Sequence, residues 1–369
     1  MISRRAVLCA IVPLATACRK QRGDGFAGYA FVANRDGRAI AAVDLTAFAV
    51  AKHIRLPASP TEIWAAPNGP FLYALTPESG ELFEIDASKL AVGRTLKLGA
   101  PALTMRAEPG GSALWIPCPA SRRLLRVDPA LMSVTAALRL PGEPTHLDLS
   151  NSRGLALLGY SATGEISTLQ LATGDATKPV RVAGRTGDAL FRSDGRAILV
   201  ADTSDRQLAV LDSVSLQPIV RLPLAISPDN VCAHPSGGQI FISGAGADAV
   251  VVVHPYYVPQ VAETVLAGSR PGPMTASATH LFVTNPQAGD VTILSVARRK
   301  VIAVAQVGAE PRHVTVTPDG EYALVLNQSS GDMAVLRIAG LQPDRRKSAA
   351  LFTLIPVGSR PVSATVKAV

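Results

Sequence analysis

The side chains of this chain that could do chemistry recur at one offset. Ser363, Glu62, Leu103, His146, Asp188, Asn230, Thr275 and His313 each stand two residues past the start of a sequence unit that returns every 38 to 50 residues, and seven of the eight are polar or charged. Two imidazoles and two carboxylates drawn to one place could ligate a metal or a haem iron, or act as general acid and base. The same set could instead line a water-filled channel, its side chains satisfying one another and the strand ends. No His-x-His or His-Glu-x-x-His spacing selects a metal, and no Cys-x-x-Cys-His run offers haem attachment. The sequence therefore assigns no catalytic residue, no metal ligand and no cofactor. It marks Glu62, His146, Asp188, Asn230, Thr275, His313 and Ser363 as a candidate ligand-binding ring.

The unit that carries this offset predicts the fold. Its copies start at Pro60, Pro101, Pro144, Thr186, Pro228, Pro273 and Pro311, and five of them contain an inner hairpin turn at Asn68-Gly69, Pro109-Gly110, Asp194-Gly195, Ser236-Gly237 or Asp319-Gly320. Each turn is followed by an apolar run of strand length, a polar turn, a third strand such as LFEID or LAVLD, and a fourth that closes on Gly or Pro. A period of this length, made only of short strands, indicates a β-propeller. Residues 29–56 supply the last three strands of a unit, and Pro361–Val369 supply a lone first strand. Joined, they make an eighth blade and close a ring without exposed sheet edges. The prediction is thus an all-β chain with one propeller of eight four-stranded blades over 29–369. Seven blades remain the alternative if unit four or unit seven, which lack a clean turn dipeptide, is not a true copy.

Composition agrees: 48% hydrophobic against 17% charged residues describes a large packed core and excludes a disordered chain. Trp64 and Trp115 read as anchors between blades. His53 and His280 fall on outer or second strands, and His234 and His254 at blade edges. Of four cysteines, Cys118 and Cys232 belong to units three and six, which do not touch, so two free thiols are expected. The net charge of +8 comes from arginines scattered through turns, with clusters only at Arg122-Arg123, Arg298-Arg299-Lys300 and Arg345-Arg346-Lys347. With no recognised binding module, nucleic acid is not the expected partner. The basic turns could favour an anionic surface. The Tyr256-Tyr257 pair could form an aromatic contact patch or pack as a loop.

The segments FVANRDGRAIAAVDL from Phe31, LVADTSDRQLAVLD from Leu199 and FVTNPQAGDVTIL from Phe282 resemble the YVTN family of β-propeller repeats. That resemblance covers roughly 29–369 and implies the propeller fold. It leaves function open, because the family includes surface-layer proteins, periplasmic proteins of uncertain role and relatives of lactonases.

At the other end, Ser3-Arg4-Arg5 and an apolar stretch from Ala6 to Ala17 have signal-peptide proportions, by the twin-arginine or the ordinary route. Leu14-Ala15-Thr16-Ala17-Cys18 resembles a lipoprotein lipobox, which implies a signal over 1–17, lipidation of Cys18 and a tether over 18–28. Cleavage near Ala17 with a soluble periplasmic or secreted product is the alternative. Two functional readings follow. One is a monomeric, membrane-anchored propeller on the periplasmic side of the envelope, presenting its channel mouth and loops to an envelope protein or polymer. The other is a propeller enzyme or redox protein, either a lactonase-like metal-dependent hydrolase or a haem- or quinone-dependent electron carrier.

Overall fold

The computed structural model describes residues 25–255, 258–341 and 350–368; the signal, Cys18, the Tyr256-Tyr257 pair and the cluster at 345–347 lie outside these residues. Eight four-stranded antiparallel sheets stand around one axis, so the blade count is eight. Blade I unites Gly28–Asn34, Ala39–Asp44 and Ala49–Arg55 with Pro361–Ala368 as its innermost strand. Blades II to VIII follow in chain order, with innermost strands Glu62–Ala65, Arg106–Ala107, His146–Leu149, Thr186–Phe191, Ser227–Ala233, Met274–Ala276 and Pro311–Val316. The upper face carries the crossovers between blades and the turns between second and third strands. The lower face carries the inner hairpin turns and the turns between third and fourth strands.

Hydrophobic burial explains why the second and third strands read as unbroken apolar runs. Each blade is sandwiched between two others, so Phe71–Thr76, Ala197–Asp202 and Tyr322–Asn327 are covered on both faces. The core is accordingly divided into eight clusters, one between each pair of neighbouring blades. Phe31, Ile40, Leu72 and Phe83 join blades I and II, for example, and Tyr322, Leu324 and Met333 join blade VIII to blade I. Trp115 is fully buried between blades III and IV. Trp64 departs from expectation in part: it stacks on Tyr73, with ring centroids 5.9 Å apart, but also lines the channel.

Local chemistry sets the corners. The inner hairpins turn on glycines with φ near +70°, as at Gly195 (φ 67°) and Gly320 (φ 72°), a region that costs other residues strain. Two crossovers are latched by an asparagine at the upper end of a second strand. Asn34 Nδ2 donates to the Val357 carbonyl at 2.8 Å, and Asn327 Nδ2 to the Val307 carbonyl at 3.2 Å. Gly268 shows why the crossover is glycine-rich, since a Cβ there would meet the Asn285 amide nitrogen at 2.3 Å. At the rim, the fourth strands of blades I, II, III and V to VIII all carry a register shift against the third, a bulge that bends the free edge and blunts it against further pairing.

The chain ends close the ring through antiparallel pairing from Gly28↔Ala368 to Asn34↔Pro361. Deleting 361–369 removes this strand and opens the apolar faces of blades VIII and II beside it. The deletion is expected to lower the thermal midpoint by at least about 10 °C, read by circular dichroism; a melt matching that of the full chain would contradict closure through the ends.

Candidate functional site

Strand register places the recurring polar offset on the innermost strands, and it corrects two of the eight positions. Unit three is displaced by one residue: Leu103 N donates to the Pro117 carbonyl as Thr61 N does to that of Leu75, so Thr104 rather than Leu103 matches Glu62. Unit seven starts two residues earlier than Pro273. Gly272 N donates to the Thr284 carbonyl in the same way, which puts Pro273 at the offset and Thr275 two places beyond it. The physical reason is that proline does not by itself fix where the strand begins. Pro101 sits one place before the strand entry in unit three, while in unit seven Pro271 is the residue that follows a left-handed corner, at Arg270 (φ 51°), as Pro311 follows Glu310 and Pro361 follows Arg360.

Five ring positions brace the channel wall from blade to blade, whereas Asn230 Nδ2 donates within its own blade to Ser243 Oγ at 3.4 Å. Ser363 Oγ accepts from Ile63 N at 3.4 Å. Glu62 accepts from Thr104 Oγ1 at 2.5 Å and Met105 N at 2.8 Å, with Arg106 3.8 Å away. The His146 imidazole Nε2 bonds the Ala189 carbonyl, Asp188 Oδ2 accepts from Val231 N at 3.1 Å, and His313 Nε2 accepts from Ala364 N at 3.3 Å. One step deeper, Thr275 Oγ1 donates to the Val314 carbonyl at 2.8 Å, and Asp148 Oδ2 accepts from Phe191 N at 2.8 Å. In every case but that of Asn230 a side chain of one blade meets the backbone of the next innermost strand, whose inward edge has no further strand to pair with. An unmet buried backbone group costs about 1–3 kcal/mol, so these contacts stabilise the wall.

Burial dominates the electrostatics. The carboxyls of Asp188 and Asp148 are both raised from the ordinary value by desolvation, offset by the backbone N–H each accepts; Asp229 adds like-charge repulsion at Asp188, while His146 and Arg106 favour the charged form of both. The Cys118 and Cys232 thiols are free, on blades III and VI, and burial pushes both to about 11, which leaves them protonated and poor nucleophiles. Burial also holds the His313 imidazole down at about 4.

The ring is split between two cavities. The channel holds a cavity of about 570 Å3 that gathers Glu62, Ser363, His313, Trp64 and Arg106. A separate polar basin of about 530 Å3 opens on the upper face above blades IV to VI, lined by His146, Asp188, Asn230, Asp229, Arg185 and the hydroxyls of Thr145, Ser161, Thr203 and Ser227. Glu62 and Asp188 are therefore in different cavities, and among the described residues no three His, Cys, Asp or Glu side chains converge as a metal site would require. In the basin Asp229 and Arg185 have no side-chain hydrogen bond or ion pair within the described residues. Sequence reasoning missed Thr104, Arg106, Asp148, Asp229 and Arg185. Arg106 and Asp148 were within reach, because they lie two residues past the offset on the same strand and so share its face. The other histidines lie apart from both cavities: His234 bonds Ser236 Oγ and the Ala278 carbonyl, His53 sits on the fourth strand of blade I and His280 opens the second strand of blade VII.

Protein-family models give no match to this chain, and neither do curated protein sequences. Solved structures do. The chain is similar to the dihydro-heme d1 dehydrogenase NirN in complex with DHE (TM-score 0.74, 15% identity, 96% of this chain and 78% of that one). It is similar to apo AztD from Citrobacter koseri (TM-score 0.67, 11% identity, 92% and 97%). It is also similar to a putative 6-phosphogluconolactonase from Bacteroides fragilis (TM-score 0.58, 12% identity, 92% and 98%). At such identities the likeness is one of fold alone.

The depressed His313 imidazole makes the ring acid-sensitive. A histidine with a folded value near 4 and an unfolded value near 6.5 contributes fully above pH 6.5 and loses its contribution as pH falls from 6.5 toward 4, in total about 3 kcal/mol. Protonating Nε2 also ends its acceptance from Ala364 N. A His313→Gln variant should lose less stability than the parent between pH 7 and 4 in urea titrations; equal losses would show that His313 does not carry the effect.

Proposed function

We propose that this chain is a lipid-anchored extracytoplasmic propeller of the YVTN type that serves as a binding scaffold, with the upper-face basin over blades IV to VI as its recognition site. The observation that carries this reading is a division of labour among the polar groups. His146, and one oxygen of Asp188, are committed to bracing the wall, whereas Asp229 and Arg185 stand at the rim of an open hydroxyl-rich cavity without internal partners. A site with both charges and few apolar surfaces suits a polar partner, such as an envelope protein loop or a hydroxylated polymer, and loops converging on one face of a rigid ring suit recognition. The resemblance of Leu14–Cys18 to a lipobox, at the end of the apolar stretch from Ala6, supports export and anchoring on the periplasmic side of the envelope.

A second reading, a redox or hydrolytic propeller, is favoured by the likeness to NirN, whose solved structure is of a dehydrogenase complex, and to a putative lactonase. Against it stand the separation of Glu62 from Asp188 and the protonated state of both thiols.

Chain purified from its own envelope distinguishes the two. The scaffold reading expects no stoichiometric metal, no visible absorption band, and a co-purifying partner that an Arg185→Asp, Asp229→Arg double variant loses. A stoichiometric ion or a visible band would overturn it in favour of the second reading.

A further inference from the structure

We propose that the lower outer corner of the ring at blades VII, VIII and I is a docking surface for an anionic lipid bilayer. Three independent features meet there. The first is the position of Gly25, the first described residue: a Cβ there would touch the Leu45 carbonyl and the Phe48 ring, which puts Gly25 at the lower edge of blade I. Six residues lie between Cys18 and Gly25, and even fully extended the seven steps span only about 25 Å. Any membrane that holds Cys18 therefore lies close to this edge.

The second feature is apolar. Phe48 packs edge-on against Phe352 at 4.8 Å, joining the lower corners of blades I and VIII, and Arg337 lies over the Phe352 ring at 4.6 Å. Phe352 is nonetheless 38% exposed, and Val301 at the lower end of the neighbouring fourth strand is 39% exposed. An aromatic ring beside a guanidinium, at the edge of a folded domain, suits the boundary between headgroups and acyl chains.

The third feature is charge. Arg298, Arg299 and Lys300 form the lower turn of blade VII; Arg299 pairs with Glu263 at 3.0 Å, whereas Arg298 and Lys300 are exposed and have no ion pair among the described residues. Of the acidic groups nearby, Glu263 is neutralised by Arg299, and the others keep their charge while holding their own turns. Asp44 accepts from Thr46 and Ala47, and Asp319 from Thr317 and the Glu321 backbone, so the exposed acids of blade VIII's lower turn are Asp319 and Glu321. Anionic lipid attracts basic side chains by roughly five-fold in partitioning for each one near the surface, within a screening length of about 8 Å at physiological salt.

With this corner on the bilayer, the upper-face basin opens away from the membrane. The proposal rests on the anchoring reading for its geometry but is tested without the anchor. Full-length Cys18→Ser chain, which cannot be acylated there, is sedimented with vesicles of phosphatidylcholine alone and of phosphatidylcholine with about a third phosphatidylglycerol. Binding to the anionic vesicles only, lost at high salt, is expected. An Arg298→Glu, Lys300→Glu variant should bind at least about tenfold more weakly, and a Val301→Ser, Phe352→Ser variant with an unchanged far-ultraviolet spectrum should also weaken. An Arg122→Glu, Arg123→Glu control on blade III should bind as before. Equal binding to both vesicle types, no binding, or equal loss in the control would overturn the docking surface. Fractionation of wild-type cells after a high-salt wash judges the anchor separately: wild type is expected to stay with membranes and Cys18→Ser to leave, and release of both would remove the anchor while leaving the vesicle result to stand.

Discussion

The fold depends on one pairing, that of Gly28–Asn34 with Pro361–Ala368. Every blade buries its middle strands only because another blade covers each of its faces, so an open array would leave the two cores beside the closing strand incomplete. Closure converts local hairpins, which are marginal alone, into mutual cover. It also brings together the two parts of the sequence farthest apart, which makes the last contact the one of greatest loop-closure cost.

Closure has a consequence at the axis. Eight innermost strands point their free edges inward, and the side chains at the recurring offset meet those edges: Glu62 across to Met105 N, Asp188 to Val231 N, His313 to Ala364 N. A polar ring in a propeller channel is thus explained first by the backbone it satisfies. Recognition has to use what is left over, and that surplus is uneven. It gathers above blades IV to VI, where Asp229 and Arg185 face an open basin, and not at the centre, where Glu62 and Ser363 are occupied.

The period, the hairpin glycines and the join between the ends were legible in the sequence, because each is written by short-range chemistry: a left-handed turn needs Gly195 or Gly320, and a strand covered on both faces needs an apolar run such as AILVAD. Register was less legible. Proline alone does not fix a strand entry, so Pro101 and Pro273 mislead by one and two residues while Pro311, after the left-handed corner at Glu310, does not. The candidate site was legible as a set of polar positions but not as two cavities, since the division between the Glu62 and Asp188 sides follows from which blades stand together. Arg185 belongs to a crossover and Asp229 is the extra residue at a register shift in the innermost strand of blade VI, and nothing local in the sequence distinguishes them from ordinary solvated charge.

The central claim, that the ring is closed by the chain ends, is tested most directly by amide hydrogen exchange resolved to individual strands. The amides of Gly28–Asn34 and Pro361–Ala368 that face each other should exchange as slowly as those of Tyr322–Asn327 in the middle of blade VIII. Exchange of the 361–368 amides at unprotected rates, while the other blades stay protected, would contradict it.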